Sequence, residues 1–228
     1  MRTLVIIPAH NEEESILKTI DKLNKDLALK PEYDVGYVVV NDGSVDNTKK
    51  ILEDNNIPHI NHIVNMGVGA AIKSGIIYAD RLGYDNVMQF DADGQHNGIY
   101  IFDLIDQINQ GYDIVIGSRF LTKKKPKSLR MLGSKILSTL ILIKSRGKLK
   151  ITDPTSGQRI LASRVKDTYV NDASSSEPSF AIKYYNKGFR VKEIPVVMNE
   201  REAGESHFNL MNSIKFMLEQ SLAIIFGF

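Results

Sequence analysis

Two aspartates separated by one residue, in Asp91-Ala92-Asp93-Gly94-Gln95-His96, carry the clearest chemical signal in the sequence. They follow residues 86–90, a short segment that we predict to be a strand. If the backbone turns between them, one carboxylate can hold a divalent cation while the other meets a ribose hydroxyl or a second metal position. Gln95 can add another oxygen. Oxygen ligands suit Mg²⁺ or Mn²⁺, which would neutralise a diphosphate leaving group, so we expect this metal site at Asp91, Asp93 and Gln95.

The same segment has two simpler interpretations. An Asp-x-Asp-Gly sequence in isolation is commonly a solvated turn. A calcium loop between two helices would need a glutamate at its twelfth position, where this chain has Phe102. The calcium loop is therefore excluded, and the solvated turn stays open.

Asp42 ends a β-branched run and could accept hydrogen bonds from the imide of uracil or the amino groups of guanine. On local sequence it is equally suited to cap the helix that starts near Asp46. The nearby Asn65-Met66-Gly67-Val68-Gly69 is similar to a phosphate-binding loop, but Ile72 stands where a dinucleotide fingerprint has its third glycine. A dinucleotide cofactor is therefore not expected, and these glycines are suited to a tight turn and close helix packing.

The elements that must position these residues alternate between strand and helix through residue 117, which predicts a mostly parallel α/β sheet. The predicted strands cover residues 3–8, 35–40, 59–64, 86–90 and 113–117. The predicted helices between them cover residues 12–27, about 46–54, 67–82 and 99–109. Polar residues follow four of these strands, and ligands of such sheets bind beyond the carboxyl ends of the strands.

The pattern changes after residue 121. We predict a basic loop, a helix over about 130–143, a turn at 153–157 and a strand over 158–162. A helix at about 177–187, a strand at 190–197 and a last helix from about Asn209 follow. Without a repeat or linker, one domain over residues 1–228 is the simplest organisation.

Charge is distributed unevenly along a chain whose net charge is only +2. Ten of the 29 basic residues and no acid lie in residues 121–150, which leaves 19 basic against 27 acidic residues elsewhere. A basic block around an apolar helix indicates contact with an anionic membrane surface. For residues 123–127 alone, a solvated lysine loop is the better interpretation. Nucleic-acid binding is not expected, because aliphatic rather than aromatic residues interleave the basic ones.

Composition bounds the class of protein. Apolar residues make up 43% and charged residues 25% of the 228 residues, as in an ordinary globular domain. With no cysteine, disulfides and thiolate metal sites are excluded. The first residues lack the features of a signal peptide, and no run of roughly 18 apolar residues could span a bilayer. We therefore expect a cytoplasmic protein, peripheral to the cytoplasmic face of a membrane.

Four segments occur in order at a consistent spacing: Ile7-Pro8-Ala9-His10-Asn11-Glu12, Asn41-Asp42-Gly43-Ser44, Asn65-x-Gly67-x-Gly69 and Asp91-Ala92-Asp93-Gly94-Gln95-His96. Together the sequence resembles family 2 glycosyltransferases of the GT-A fold, especially the dolichyl-phosphate mannose synthase-like group that charges polyprenyl phosphates. Later landmarks fit as well: Gly117-Ser118-Arg119, Asp153-x-x-Ser156-Gly157, Glu193-x-Pro195 and Arg201-x-x-Gly204-x-Ser206. The resemblance covers essentially the whole chain. It implies that residues 1–120 bind the nucleotide sugar and that residues 121–228 bind the acceptor close to the membrane.

The resemblance implies roles for matching positions. The nucleoside pocket would be lined by Pro8, His10, Glu12, Asp42, Asp91 and Ala92. Asp93 and Gln95 would hold the metal, and Arg201 the donor diphosphate. The acceptor phosphate would be gripped by Arg119, Arg130 and Ser134. Relatives often carry lysine where this chain has His207, so one phosphate contact differs.

These assignments imply an inverting transfer from a nucleoside-diphosphate sugar to a polyprenyl phosphate. If the acceptor is instead a sugar hydroxyl of a growing polysaccharide, a general base is required, with Asp153 the first candidate and Glu177 the second. A third alternative is a non-catalytic sugar-nucleotide-binding subunit that assembles at a membrane. A small membrane-protein partner or a homo-oligomer is compatible with the last helix, which we expect to be amphipathic and membrane-proximal.

Overall fold

The computed structural model describes residues 1–172, 177–199 and 210–226, apart from the side chains of residues 129–130 and 210–214. The strands are β1 Thr3–Ala9, β2 Val35–Asp42, β3 His59–His62, β4 Asn86–Gln89, β5 Ile114–Ser118, β6 Arg159–Leu161 and β7 Val191–Pro195. The helices are α1 Ile16–Leu27, α2 Thr48–Asp54, α3 Val68–Arg81, α4 Tyr100–Asn109, α5 Leu129–Lys144, α6 Ser163–Val170, α7 Phe180–Asn186 and α8 Leu210–Phe226.

The seven strands form one sheet in the order β3-β2-β1-β4-β6-β5-β7. Strand β6 runs antiparallel to both of its neighbours, and every other pairing is parallel. The mostly parallel α/β sheet expected from the sequence is therefore confirmed. The short helix α6 was not predicted, and α1 begins at Ile16 rather than at Glu12.

The core lies on both faces of the sheet because side chains alternate along each strand. In β1, Leu4 and Ile6 pack in one apolar cluster, while Val5 and Ile7 pack in the other. All four are at most 1% exposed. A central strand covered by helices on both faces reads as a continuous apolar run, which is why β1 was recognisable in the sequence.

Strand register brings the carboxyl ends of the first strands to one edge. Ala9 at the end of β1 pairs with Asn41, and Asp42 at the end of β2 pairs with His62. Ile6 pairs with Gln89, the last residue of β4. The loops that leave these strands therefore start side by side, as the sequence predicted.

Helices α5 and α8 both follow the basic loop in the sequence, and they pack against each other. Lys144 near the end of α5 donates to the backbone oxygen of Ile225 at 2.8 Å, so it satisfies a free carbonyl near the end of α8. Among the helices of the described residues, none combines the length and apolar character needed to cross a bilayer.

Candidate functional site

The loops that follow β1 and β2 are bonded to each other. The backbone N–H groups of Asn11 and Glu12 donate to the hydroxyls of Ser44 and Thr48, at 3.0 and 2.8 Å. His10 donates through Nδ1 to the backbone oxygen of Asp42 at 2.9 Å. These contacts bring His10 and Asp42 together, as the sequence predicted for one pocket, and Pro8 pairs with Val40 in the adjacent strand.

Two other residues predicted for the nucleotide pocket, Glu12 and Ala92, make contacts within the loops. The carboxylate of Glu12 accepts a short hydrogen bond from the hydroxyl of Ser15. Ala92 is 3% exposed, and its backbone oxygen accepts from the hydroxyl of Thr19 on α1 at 2.8 Å. Both residues lie at the expected edge, where their contacts fix the loops in place.

Asp42 organises the glycine loop that follows β3. Its Oδ1 accepts from the backbone N–H of Met66 at 2.9 Å and from His62 Nδ1 at 2.7 Å, and its Oδ2 accepts from the N–H of Gly67 at 2.7 Å. Because a carboxylate only accepts, Nδ1 of His62 carries the proton. Asp42 therefore does not cap α2, the alternative that the local sequence allowed.

The start of α2 is held by Asp46 instead. Its Oδ1 accepts from the backbone N–H of Thr48 at 2.9 Å, and its Oδ2 accepts from the N–H of Glu13 at 3.1 Å. Burial alone would raise the pKa of Asp46, but the hydrogen bonds from Thr48 and Glu13 outweigh it and lower that pKa. Asn47, which directly precedes the helix, makes no side-chain cap bond, so Asp46 satisfies the first backbone N–H of α2 instead.

The loop after β4 presents Asp91 beside a buried imidazole. The Asp91 side chain is 40% exposed, and its Oδ1 accepts from Gln89 Nε2 at 3.1 Å. His96, which is 2% exposed, contacts both the backbone and the carboxylate of Asp91. Two residues later, Asp93 is 8% exposed and its Oδ1 accepts from the backbone N–H of Gln95 at 3.1 Å.

A glycine from the second half of the chain lies against Asp91. A methyl group at Gly157 would come within 2.6 Å of Asp91 Oδ2 and 3.0 Å of Oδ1. Only a residue without a side chain fits here unless the carboxylate moves. Behind the loop, Asn199 donates its backbone N–H to the oxygen of Gln95 at 2.9 Å and its side-chain amide to that of Gly94 at 3.3 Å. The residues that follow β7 thus support the predicted metal loop.

The donor set of this loop fits a hard divalent cation. Asp91, Asp93 and Gln95 offer carboxylate and amide oxygens, the ligand types of Mg²⁺ and Mn²⁺. In the part of the chain that the structure describes, no three acidic or histidine side chains gather as a complete metal site. A cation held here would therefore need further oxygens from a bound diphosphate or water.

The predicted acceptor residue Arg119 is paired with Asp153. Its Nε lies 2.6 Å from Oδ2 and its Nη2 lies 2.8 Å from Oδ1 of that fully buried carboxylate. Burial alone would lower the pKa of Arg119, but the hydrogen-bonded Asp153, with a weaker contribution from Asp91, raises it. The guanidinium therefore stays charged, and the negative charge of the Asp91 carboxylate contributes to this.

Asp153 is held in turn by Glu193 on β7. Glu193 Oε1 accepts from the backbone N–H of Asp153 at 2.8 Å, and Oε2 accepts from the N–H and the hydroxyl of Thr152, both at 2.7 Å. Burial raises the pKa of Glu193 despite these donors, which by themselves would lower it. The second candidate base, Glu177, accepts from the hydroxyl of Ser179 at 3.4 Å beside the start of α7.

Ser134 is buried on α5 and receives a lysine from the basic loop. Nζ of Lys125 donates to the hydroxyl of Ser134 at 2.8 Å and to that of Ser138 at 3.4 Å. Burial lowers the pKa of Lys125. The solvated loop expected for residues 123–127 is therefore wrong for Lys125, whereas Lys123, Lys124 and Lys127 are exposed.

Several predicted residues lie outside what the structure describes. Arg201 and His207 fall in residues 200–209, and the side chain of Arg130 on α5 is not described. Three described residues had been given no role from the sequence: Glu193, Thr152 and Lys125. Of these only Glu193 carried a signal, as part of the Glu193-x-Pro195 landmark.

Sequence comparisons agree with the resemblance seen in the motifs. The model of Glycosyl transferase family 2 matches residues 4–164. Polyprenol monophosphomannose synthase of Mycolicibacterium smegmatis is 33% identical over 92% of this chain and 82% of its own length. Undecaprenyl-phosphate mannosyltransferase of Micrococcus luteus is 31% identical over 90% and 87%. The chain thus aligns with most of the length of both relatives.

Solved structures give the same fold at lower identity. Glucosyl-3-phosphoglycerate synthase of Mycobacterium tuberculosis, crystallised with Mn²⁺, uridine diphosphate and phosphoglyceric acid, superposes with a TM-score of 0.71 at 16% identity. The alignment covers 99% of this chain and 78% of that chain. The expected GT-A fold is therefore confirmed.

Proposed function

Because this chain belongs to glycosyl transferase family 2, we propose that it transfers a sugar from a nucleoside-diphosphate sugar to a polyprenyl phosphate. The relatives named above are a polyprenol monophosphomannose synthase and an undecaprenyl-phosphate mannosyltransferase, and they align over about nine-tenths of the chain. The observation that carries the proposal is the pairing of Arg119 with Asp153 close to Asp91. A fixed guanidinium beside an acidic loop suits an anionic acceptor next to a cation-dependent donor.

In this proposal the donor binds at the loops after β1, β2 and β4. The nucleoside contacts His10 and Asp42, while Asp91, Asp93 and Gln95 hold Mg²⁺ or Mn²⁺. When bound, the cation neutralises charge on the departing nucleoside diphosphate. The assignment of Arg201 to the same diphosphate remains a proposal. It is supported by Asn199, two residues earlier in the chain, which is bonded to Gly94 and Gln95.

The acceptor phosphate binds on the side of the site away from the nucleoside. It contacts Arg119 and Arg130, with Lys125 and Ser134 nearby. A phosphate monoester is already anionic near pH 7, so it can attack the anomeric carbon in line and invert it without a general base. Asp153 then serves to position Arg119. What favours this role over general base for a sugar hydroxyl is that its buried carboxylate accepts from Arg119 and Thr155.

A direct test combines Mn²⁺, short-chain polyprenyl phosphate and a panel of radiolabelled UDP- and GDP-sugars, followed by lipid extraction. Label in the lipid fraction for one donor is the expected result. Asp93→Ala should abolish it, whereas Asp54→Ala, on the exposed end of α2, should leave it intact. Label only on a polysaccharide would favour a hydroxyl acceptor, and donor binding without any transfer would favour the non-catalytic alternative.

The proposed membrane contact is the face formed by α5 and α8. Exposed apolar side chains on these two helices include Ile136, Ile143, Leu218, Leu222 and Phe226. The basic residues of 121–150 lie on and around α5, so apolar and cationic groups occur together, as at an anionic lipid interface. This supports a protein that is peripheral to an anionic membrane, and we propose that it acts on the cytoplasmic face.

Sedimentation with vesicles tests this contact. We expect binding to vesicles that contain phosphatidylglycerol and weaker binding to phosphatidylcholine alone. Leu218→Ser with Leu222→Ser should release the protein, whereas Leu29→Ser with Leu82→Ser, exposed leucines elsewhere, should not. Equal release by both pairs would contradict the proposed face, and self-association lost with Leu218→Ser would assign it to a homo-oligomer.

A further inference from the structure

One short loop, residues 152–157, reaches both sides of the proposed site. At its start, Asp153 receives the Nε and Nη2 groups of Arg119. At its end, Gly157 lies so close to Asp91 that a methyl group there would meet Oδ2 at 2.6 Å. Between them, the hydroxyl of Ser156 donates to the backbone oxygen of Gly117 at 2.6 Å. The loop therefore contacts the proposed acceptor arginine and the proposed metal ligand at once.

Glu193 fixes this loop to the sheet. It lies in β7, where it pairs with Ile116 of β5, and it is 8% exposed. Its two oxygens take three donors from two consecutive residues, Thr152 and Asp153. A network of this kind, fully satisfied and out of water, holds its members in one arrangement.

The three donors of the network match a carboxylate better than an amide, although burial raises the pKa of Glu193. Three donors converge on the Glu193 head group, and a carboxylate only accepts. A glutamine would turn its own NH₂ group towards one of those donors, leaving that donor without a partner. An unsatisfied buried donor destabilises the local arrangement, so the loop would shift.

We infer that Glu193 is a positioning residue that acts through residues 152–157 to hold Arg119 and Asp91 in register, so that its loss weakens phosphate binding and cation binding together. This inference rests on the proposed function, which supplies the two ligands. Glu193 itself touches neither ligand in it. The distinguishing feature is the coupling: a change on β7 affects two ligand-binding residues, Asp91 and Arg119, that follow two different strands, β4 and β5.

The test measures both ligands directly in Glu193→Gln and in Glu53→Gln, an exposed matched control on α2. Mn²⁺ affinity is read by isothermal titration calorimetry, and KM and kcat are measured for a short-chain polyprenyl phosphate. We expect Glu193→Gln to weaken Mn²⁺ binding and raise the acceptor KM by about ten-fold each, as outer-shell changes do. A purely structural residue would lower the melting temperature and leave both constants of the folded protein unchanged.

A second pair keeps the test valid if Glu193→Gln does not fold. Thr152→Val preserves shape but removes the hydroxyl that donates to Glu193, and Thr152→Ser preserves that donor. The inference expects Val to weaken both affinities and Ser to restore them. Unchanged affinities in Thr152→Val, or a change in only one of them, would overturn the coupling.

The outcome is separable from that of the proposed function. If the unmodified protein transfers no sugar to lipid phosphate, the proposed acceptor is wrong. The coupling is still decided in that case, because Mn²⁺ binding and binding of inorganic phosphate are measured without turnover. If the unmodified protein is active and Glu193→Gln matches it in both constants, only the inference fails.

Discussion

The backbone N–H of Asp91 donates to Nδ1 of His96 at 2.9 Å, and Nε2 of the same ring lies 3.4 Å from Oδ2 of Asp91. Since Nδ1 accepts, Nε2 carries the proton and faces the carboxylate. The ring is buried, and its edge packs on Phe90 with the centroids 5.2 Å apart. One imidazole thus fixes both the main chain and the side chain of the proposed metal ligand.

Removing this imidazole should weaken the metal site without unfolding the protein. His96→Ala frees the carboxylate of Asp91, and loss of an outer-shell partner typically costs about 10- to 100-fold in metal affinity. Calorimetric titration with Mn²⁺ measures the effect. His59→Ala on β3, a half-buried histidine bonded to the backbone of Ile57, is the control. An unchanged Mn²⁺ affinity in His96→Ala would remove His96 from this role.

Gly157→Ala should displace the carboxylate of Asp91. The added methyl would stand 2.6 Å from Oδ2, and the carboxylate, being 40% exposed, has room to rotate away. We therefore expect Mn²⁺ affinity and transfer rate to fall while the melting temperature changes little. Both quantities are measured on the same preparation. A variant with wild-type Mn²⁺ affinity would show that the position of this carboxylate does not matter for the cation.

Asp42→Asn should loosen the glycine loop and reduce nucleotide binding. Asp42 now accepts hydrogen bonds from His62, Met66 and Gly67. The NH₂ group of an asparagine would face one of these donors and could not accept from it. Leaving a buried donor unpaired costs about 1–3 kcal/mol, so urea unfolding should show a loss of that size. Equilibrium binding of UDP and GDP measures the functional effect. Retention of both stability and nucleotide affinity would contradict the contacts described for this carboxylate.

Stability should depend on pH through Glu193. Because burial raises its pKa in the folded protein, the folded state holds this proton more tightly than the unfolded state does. The contribution of Glu193 to stability is therefore fully present below 4.5, the ordinary pKa of a glutamate, and declines as the pH rises above it. The charged neighbours Asp153, Arg119 and Lys125 remain in both proteins being compared, so their effects largely cancel.

Urea unfolding of the wild type and of Glu193→Gln at several pH values checks this sign. The difference in unfolding free energy, wild type minus variant, should decrease as the pH rises from 4.5 to 7. A difference that grows over that range would mean that the three donors from Thr152 and Asp153 outweigh burial. Glu53→Gln, at an exposed position, serves as the reference for a generic loss of charge.

Much of the fold was predictable because its signals are local. Strands β1 and β2 are apolar runs that stop at polar turns, and their shared carboxyl edge follows from parallel pairing. The direction of β6 was not predictable, since its three residues pair with strands that lie far away in the sequence. Helix α6 was missed because it is short and contains several residues of modest helix propensity.

The site likewise combines residues whose placement is predictable from local sequence with contacts that depend on the fold. The sequence predicted that His10, Asp42, Asp91 and Asp93 would lie at one edge, because each stands at the end of a strand or just after it. It did not predict that Arg119 would pair with Asp153, 34 residues away, because that contact depends on how the loop after residue 151 returns to β5. Likewise, Lys125 resembles its solvated neighbours in sequence, and only the position of α5 gives it Ser134 as a partner.

Strand β6 enters the sheet between β4 and β5, although it follows both along the chain. During synthesis, the strands that lead to Asp91 and Arg119 therefore have no common neighbour until residue 161 has emerged. A fragment that stops after β5 would leave two strand edges without partners, and such edges pair readily with other chains. Cutting the protein near residue 120 should therefore yield self-associating material rather than an isolated nucleotide-binding module.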